Sequence, residues 1–254
     1  MARSSSNLAG KFAAMDYSEF VDAFRRDGRA FVEAARAAGV ERPVPTCGDW
    51  TIADLCAHVG RLHRWAAEII EGRPADPIGH WKLLAHPEGD ALVDFVGEGY
   101  ALLAGVLASA APADPCWTWT DQRTVEFWAR RQANELAVHR WDAQHAAGTT
   151  VPIDRELAVD GIQELFDILP FRPGGAPTGN GETMHLHCTD GDGEWLIRLD
   201  PAGVTVVNEH AKADVAARGG ASDLLLMMWG RIPVDQVEVF GDASLLTRWS
   251  DGKL

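Results

Sequence analysis

The sequence predicts a two-domain chain of the α plus α/β kind, in which a four-helix bundle precedes a small α+β domain with an antiparallel sheet. Four long stretches with apolar residues at helical spacing fill the first 150 residues. After the Pro- and Gly-rich run 172–181, short stretches of alternating polarity and tight-turn dipeptides replace them. We therefore expect the bundle over 1–150, a helix and linker over 151–182, and the α+β domain over 183–254.

Start and stop signals support each helix of the predicted bundle. The first helix opens on a capping-box pattern over 16–19 and ends near Gly39, and the second ends near Gly72. The fourth contains neither Pro nor Gly before Gly148. The four predicted helices cover about 16–39, 51–72, 88–110 and 124–147. Since they are long and connected by broken segments, a four-helix bundle is the expected packing.

The second half changes from helical to alternating periodicity. In the run 183–189, Met184, Leu186 and Cys188 alternate with polar residues, and 190–193 has the composition of a hairpin turn. The predicted elements are a helix from Asp154, strands over 183–189, 195–199, 204–207, 214–217 and 237–240, and helices over 221–229 and 243–249. This succession predicts an α+β domain with a small antiparallel sheet.

The acidic composition argues against nucleic acid as a partner. The formal net charge is −14, and such a surface repels a phosphate backbone. Residues 1–11 lack the apolar stretch of a secretion signal, and runs such as 224–229 are too short to span a bilayer. The four cysteines form no CxxC pair. We expect a cytoplasmic monomer or homodimer with reduced thiols and no membrane association.

One pair of residues on the fourth helix has the spacing of metal ligands. Glu135 and His139 are four apart and therefore share a helix face. A third ligand is expected from His58, which lies inside the apolar stripe of the second helix and needs a partner there. Two imidazoles and a carboxylate suit zinc first, with iron, nickel or manganese as alternatives, and three protein ligands leave a position open as in catalytic sites. Asp142 could orient a ligand or be a solvated acid at the helix end.

Two other groups of residues are weaker candidates. His185 and His187 lie on one strand face and could chelate a metal, although polar alternation favours a solvated face. The aromatic run 117–119 and Trp81 are expected to line a pocket. His63 is five residues after His58 and points elsewhere, and no spacing partner is found for His80, His86, His145 and His210.

Several segments together resemble the mycothiol-dependent maleylpyruvate isomerase family, which belongs to the DinB-like bundle superfamily. In the bundle they are Asp49-Trp50-Thr51-Ile52-Ala53-Asp54-Leu55 with His58, and Asn134-Glu135-Leu136-Ala137-Val138-His139-Arg140-Trp141-Asp142. In the second half they are 185–187, 193–195, 220–226, 230–231 and 239–242, which resemble the family's sterol-carrier-like C-terminal domain. The resemblance covers nearly the whole chain and implies a DinB-like four-helix bundle at the N-terminus.

The resemblance also implies cofactors and a reaction. It implies a divalent metal, usually Zn²⁺, on His58, Glu135 and His139, with mycothiol held as thiolate at the open position. In the isomerase the thiol adds to an activated double bond, rotation follows and the thiol leaves, while other members transfer the thiol to a small electrophile. An arginine of the C-terminal domain contributes, and Arg231 is the candidate here, unless it is a surface arginine at a helix end.

We therefore expect a metal-dependent mycothiol S-transferase or isomerase. Two alternatives stay open at this point: a metal-dependent hydrolase that uses metal-bound water, and a non-catalytic small-molecule binding module. The sequence contains neither a G-x-S-x-G motif nor a Walker loop.

Overall fold

The computed structural model of the chain describes residues 15–72, 84–171 and 176–252. Contacts divide it into two compact units, Met15–Leu157 and the residues from 158 onward. The division falls inside α5, Arg155–Ile168, the helix that the sequence places in the linker. The predicted fold class, a helical bundle followed by a small α+β domain, is confirmed.

The first unit is a bundle of four long helices joined by connections of different length. They are α1 Tyr17–Ala38, α2 Ile52–Gly72, α3 Ala91–Ser109 and α4 Val125–Ala147. The predicted capping box is present, because Asp16 accepts from the backbone of Glu19 and the Glu19 side chain accepts from the backbone of Asp16. Helix α1 packs on α3 and α4, and α2 packs on the same two helices. This arrangement brings α2 and α4, the helices with the candidate ligands, side by side.

Glycines allow α2 and α3 to approach closely. A Cβ atom at Gly60 would lie 2.6 Å from the Phe95 ring and 3.3 Å from the Cα atom of Val96. At Gly99 a Cβ atom would lie 3.0 Å from the Gly60 carbonyl oxygen. A side chain at either position would force the two helices apart, so these glycines fix the spacing between α2 and α3.

A buried ion pair connects α1 with α4. Asp27 and Arg140 are both nearly inaccessible, and Arg140 Nε lies 3.6 Å from Asp27 Oδ1. The Arg140 guanidinium also donates to Gln144 Oε1 at 2.8 Å and to the Val151 carbonyl at 2.5 Å. Because a buried guanidinium needs both a counter-charge and acceptors, these contacts hold the C-terminal half of α4 in place.

Helix α3 is long and apolar enough to cross a membrane by length and composition alone. The prediction from the sequence considered shorter runs and did not single it out. In the structure α3 packs against α1 and α2, and Leu92, Phe95 and Leu103 are buried there. The contacts with α1 and α2 account for these buried residues as part of a bundle core, whereas Leu102 on the same helix is 46% exposed.

The aromatic run 117–119 belongs to a cluster of packed rings, and its expected place at the wall of an opening stays a prediction. Trp119 stacks on Trp65 of α2 with ring centroids 6.2 Å apart, and Trp128 meets Trp65 edge-on at 5.2 Å. The Trp128 indole donates to the Trp117 carbonyl at 2.8 Å. These rings therefore join α2, α4 and the segment before α4. Trp81, the other residue expected at a pocket, lies outside the described residues.

The second unit contains a five-stranded sheet with short helices. Its strands are β1 Glu182–Cys188, β2 Glu194–Asp200, β3 Gly203–Val207, β4 Val215–Gly219 and β5 Glu238–Gly241, and its helices after α5 are α6 Ala221–Met228 and α7 Ser244–Ser250. The strand order is β3-β2-β1-β4-β5. Three pairings are antiparallel, as predicted, but β1 and β4 are parallel. That pairing joins strands distant in sequence, so local pattern does not reveal its direction.

The two faces of the sheet differ in polarity. Met184, Leu186 and Cys188 of β1 are buried on one face together with Ile197 of β2. The opposite face is polar, as predicted, except that His185 is only 4% exposed. The expectation of a solvated His185 is therefore wrong, because the segment around His210 covers it.

Candidate metal centre

His58, Glu135 and His139 come together between α2 and α4. Glu135 Oε1 lies 3.5 Å from His58 Nε2 and 3.2 Å from His139 Nε2. The two imidazole rings meet edge-on with centroids 5.1 Å apart, and one ligand atom of each residue lies within 4.8 Å of the others. In tetrahedral coordination with bonds of about 2.0–2.1 Å, neighbouring ligand atoms are roughly 3.3 Å apart. The observed separations therefore fit a zinc-sized ion.

Asp142 supports His139 from the side opposite Glu135. Its carboxylate is fully buried, and Oδ2 lies 2.9 Å from His139 Nδ1. Oδ1 accepts from the Thr46 hydroxyl at 2.6 Å, and the Cys47 thiol donates to Oδ2 at 3.4 Å. With Nδ1 held as the donor, Nε2 is the His139 nitrogen that faces Glu135 and His58 and would bind an ion once its proton is lost. Of the two interpretations of Asp142, the structure matches the orienting one.

Arg131 keeps Glu135 ionised. Burial alone would raise the pKa of Glu135, but the Arg131 guanidinium and hydrogen bonds from both histidines hold it well below its usual range. Arg131 pairs with Oε2, which leaves Oε1 toward the histidines. An ionised carboxylate with one oxygen directed at the two imidazoles is the form that would bind a metal here.

The two histidines differ in their protonation. Burial lowers the pKa of His58, and the nearby His139 lowers it further. Burial would also lower the pKa of His139, but hydrogen bonds with Asp142, Cys47 and Glu135 raise it well above its usual value. A cation is therefore favoured beside Glu135, and a divalent ion would compete with the proton for this place.

A ring and a second candidate cluster border the site. The Trp50 indole lies 5.0 Å from the His58 ring, centroid to centroid, and covers it on the side of the loop before α2. Cys47, His139 and Asp142 also have ligand atoms within 4.8 Å of one another. Both Cys47 and His139 donate hydrogen bonds to Asp142. We therefore interpret this second group as one that orients His139, not as a separate metal site.

Four supporting residues were missed in the sequence. Arg131 lies four residues before Glu135, so an ion pair on one helix face could have been predicted from spacing. Thr46 and Cys47 lie in a short 3-10 helix, Pro45–Cys47, and Trp50 follows it before α2, in a stretch that has no periodicity that would place them. The roles of Thr46 and Cys47 depend on contacts with Asp142, which is 96 and 95 residues away in sequence.

Arg231, the predicted catalytic arginine, lies after α6 in the second unit. It is half-buried, and its guanidinium donates to the Trp229 carbonyl at 2.8 Å. Its backbone N–H donates to the Leu226 carbonyl, which closes the C-terminus of α6. A role in the reaction stays a prediction for Arg231.

Both halves of the chain match models of known domains. Residues 21–144 match the mycothiol maleylpyruvate isomerase N-terminal domain, and residues 156–248 match the C-terminal domain of the same family. The first match contains all three candidate ligands, and the second contains the whole sheet.

Individual proteins show the same relationship at lower similarity. Two uncharacterized proteins of Mycobacterium tuberculosis, MT0763 of strain CDC 1551 and Rv0738 of strain H37Rv, are 28% identical over 154 residues, which is 58% of this chain and 78% of each relative. Crystal structures of the mycothiol-dependent maleylpyruvate isomerase and of a mutant of it have TM-scores of 0.61, cover 90% of this chain and 95% of theirs, and are 15% and 14% identical. At that identity the crystal structures support the fold. Since the two family models match both domains in order, the chain belongs to the mycothiol-dependent maleylpyruvate isomerase family.

Proposed function

We propose that the chain is a metal-dependent enzyme that uses mycothiol to isomerise a small electrophile or to transfer the thiol to it. The observation that carries this proposal is the group formed by His58, Glu135 and His139 in the domain that matches the isomerase's N-terminal model. Similar proteins of this fold are described as mycothiol-dependent maleylpyruvate isomerase. An unsaturated carboxylic acid of that kind is therefore the first substrate to test.

The donor set favours Zn²⁺ as the ion. Two imidazole nitrogens and one carboxylate oxygen, at the separations found here, are a common catalytic zinc set with one position left for a ligand. When bound, the ion would lower the pKa of a thiol so that mycothiol is present as thiolate at neutral pH.

The protein's own residues keep the site ready for the metal and the thiol. Asp142 fixes the tautomer of His139, and Arg131 holds Glu135 ionised. Trp50 covers His58 and restricts water on that side. For isomerisation, the thiolate sulfur adds to one alkene carbon, the resulting single bond rotates, and expulsion of the same thiolate restores the double bond in the other geometry. Thiol transfer would stop after the addition or displacement step.

The test compares turnover by matched variants. Zinc-loaded wild type should convert maleylpyruvate in the presence of mycothiol, and omission of mycothiol should abolish the reaction. His58→Ala should lose the activity, whereas His145→Ala, which removes an exposed histidine from α4, should keep it. Equal activity in wild type and His58→Ala would overturn the proposal. Disappearance of maleylpyruvate with one equivalent of mycothiol consumed would assign transfer in place of isomerisation.

A further inference from the structure

A second cluster of metal-ligating side chains lies on the polar face of the sheet. It contains His185 of β1, Glu194 of β2 and His210 in the segment after β3, and one ligand atom of each lies within 4.8 Å of the others. All three belong to the second compact unit. The cluster is therefore separate in sequence and in structure from the residues of the bundle site.

Strand register produces this cluster. Alternate residues of a strand share a face, so His185 and His187 project together from β1. Glu194 is the antiparallel partner of His187, which places it on the same face. The ring of His210 reaches the group from the loop, with centroids 5.3 Å from His185 and 5.9 Å from His187.

The Nε2 atom of His185 is buried and has no hydrogen-bond partner in the part of the chain that the structure describes. The residue as a whole is 4% exposed. Burial lowers the pKa of His185, so its ring is neutral and one ring nitrogen carries a lone pair. A neutral imidazole nitrogen is the form of histidine that binds a metal. A buried polar atom without a partner is costly and requires an explanation.

Glu194 supplies the negative charge. Its Oε1 lies 2.5 Å from His187 Nδ1 and 2.9 Å from His210 Nδ1. Burial would raise the pKa of Glu194, but His210 and His187 lower it below its usual value, so the carboxylate is ionised. These hydrogen bonds explain the positions of His187, Glu194 and His210 without a metal. They do not explain the free Nε2 of buried His185.

The cluster opens on a cavity of about 710 Å³. His185, His187 and His210 line one part of it, and Lys212, Arg218 and Phe240 line another. Asp214 also lines the cavity, and Arg218 is paired with Glu238 at 3.2 Å, so the positive charges of Lys212 and Arg218 are largely balanced. The cavity has room for a small ligand that would complete the coordination of an ion.

We propose that His185, Glu194 and His210 form a second divalent metal site, of the zinc class, with a coordination position open to the cavity and with His187 positioning Glu194. Two imidazoles and a carboxylate are a suitable zinc set, and the ion would satisfy His185 Nε2. This site is independent of the function proposed for the bundle.

The test is the zinc content of the purified, chelator-stripped and reloaded chain. Wild type should hold two zinc ions per chain, and His210→Ala should hold one. Because the His210 side chain is 76% exposed, its removal should leave the fold intact. Glu194→Gln should also hold one, and His86→Ala, which removes another exposed histidine, should hold two. His187→Ala removes the histidine that positions Glu194, so this variant should bind the second ion about 10–100-fold more weakly than wild type.

A bundle variant separates this proposal from the proposed function. The double variant His58→Ala, Glu135→Ala should keep one ion, and adding His210→Ala should leave none. Zinc content that is the same in wild type, His210→Ala and Glu194→Gln would overturn the second site. If instead His210→Ala loses all of the zinc and the bundle variant loses none, the second site stands and the proposed function loses its metal.

Discussion

Asp142 is predicted to set the metal affinity of the bundle site without touching the metal. Its buried carboxylate accepts from His139 Nδ1 at 2.9 Å and from the Thr46 hydroxyl at 2.6 Å. Asp142→Ala removes the acceptor, so that His139 can place its proton on Nε2, where the metal must bind. Loss of such an outer-shell partner costs about 10–100-fold in affinity, or about 1.4–2.7 kcal/mol.

Asp142→Asn gives a graded comparison. The amide oxygen can take the place of Oδ2 and still accept from His139, while the amide nitrogen donates to the Thr46 hydroxyl, which can rotate to accept. The tautomer is then kept and the negative charge is lost. We expect the zinc affinity of Asp142→Asn to lie between those of wild type and Asp142→Ala, and Thr46→Val to lose less than about tenfold.

The assay is competition with a chromophoric zinc chelator at fixed pH. The variants are made in a His210→Ala chain, so that the sheet cluster does not contribute, and Glu126→Gln, an exposed acid at the start of α4, is the control. Circular dichroism melts verify folding, because unpaired buried donors cost about 1–3 kcal/mol. A folded Asp142→Ala chain with zinc affinity within about twofold of its parent would refute the role of Asp142 in the site.

Three further predictions concern the bundle. Gly60→Ala should lower the free energy of unfolding by about 1–3 kcal/mol, because its Cβ atom would lie 2.6 Å from the Phe95 ring. Gly105→Ala should raise the free energy of unfolding by about 0.5–1 kcal/mol, since no described atom lies within 4 Å of that Cβ position. Urea titration measures both variants, and the same change in stability for Gly60→Ala and Gly105→Ala would contradict the close packing of α2 on α3. Burial lowers the pKa of His63 to about 3, so between pH 6.5 and 3 the unfolded chain binds a proton that the folded chain does not. The free energy of unfolding should therefore decrease as the pH is lowered through that window, by about 2 kcal/mol at pH 5 from this residue. His63→Phe should remove that part of the pH dependence in urea titrations. An unchanged pH dependence would count against a neutral His63. Arg131→Met should raise the pKa of Glu135, so that zinc binding measured at pH 5 weakens more than at pH 7.5, whereas an equal loss at both values would contradict the charge argument.

The bundle could be predicted from the sequence because its signals are local. The capping box at Asp16 and Glu19 and the helical spacing of apolar residues depend on neighbours within a few residues. The same holds for Glu135 and His139, which share a helix face by spacing alone. His58 could be singled out because a titratable residue inside an apolar stripe needs a buried partner.

The contacts that the sequence did not reveal are distant in sequence. The parallel pairing of β1 with β4 and the bond between Thr46 and Asp142 depend on how separate segments meet. His210 has no spacing relation to His185 and joins it through a loop. The aromatic run at Trp117 and Trp119 packs against Trp65, and its place at an opening stays a prediction because composition does not distinguish a pocket wall from a packed cluster. The role of Arg231 in the reaction also stays a prediction.

The most direct test of the account is a titration of mycothiol into the cobalt-substituted chain. With His210→Ala as the background, we expect cobalt to bind at the site formed by His58, Glu135 and His139. An open coordination position predicts a saturable sulfur-to-cobalt charge-transfer band that is kept in His145→Ala and lost in His58→Ala. A cobalt spectrum that does not change when mycothiol is added to the loaded chain would contradict the claim that this site binds the thiol.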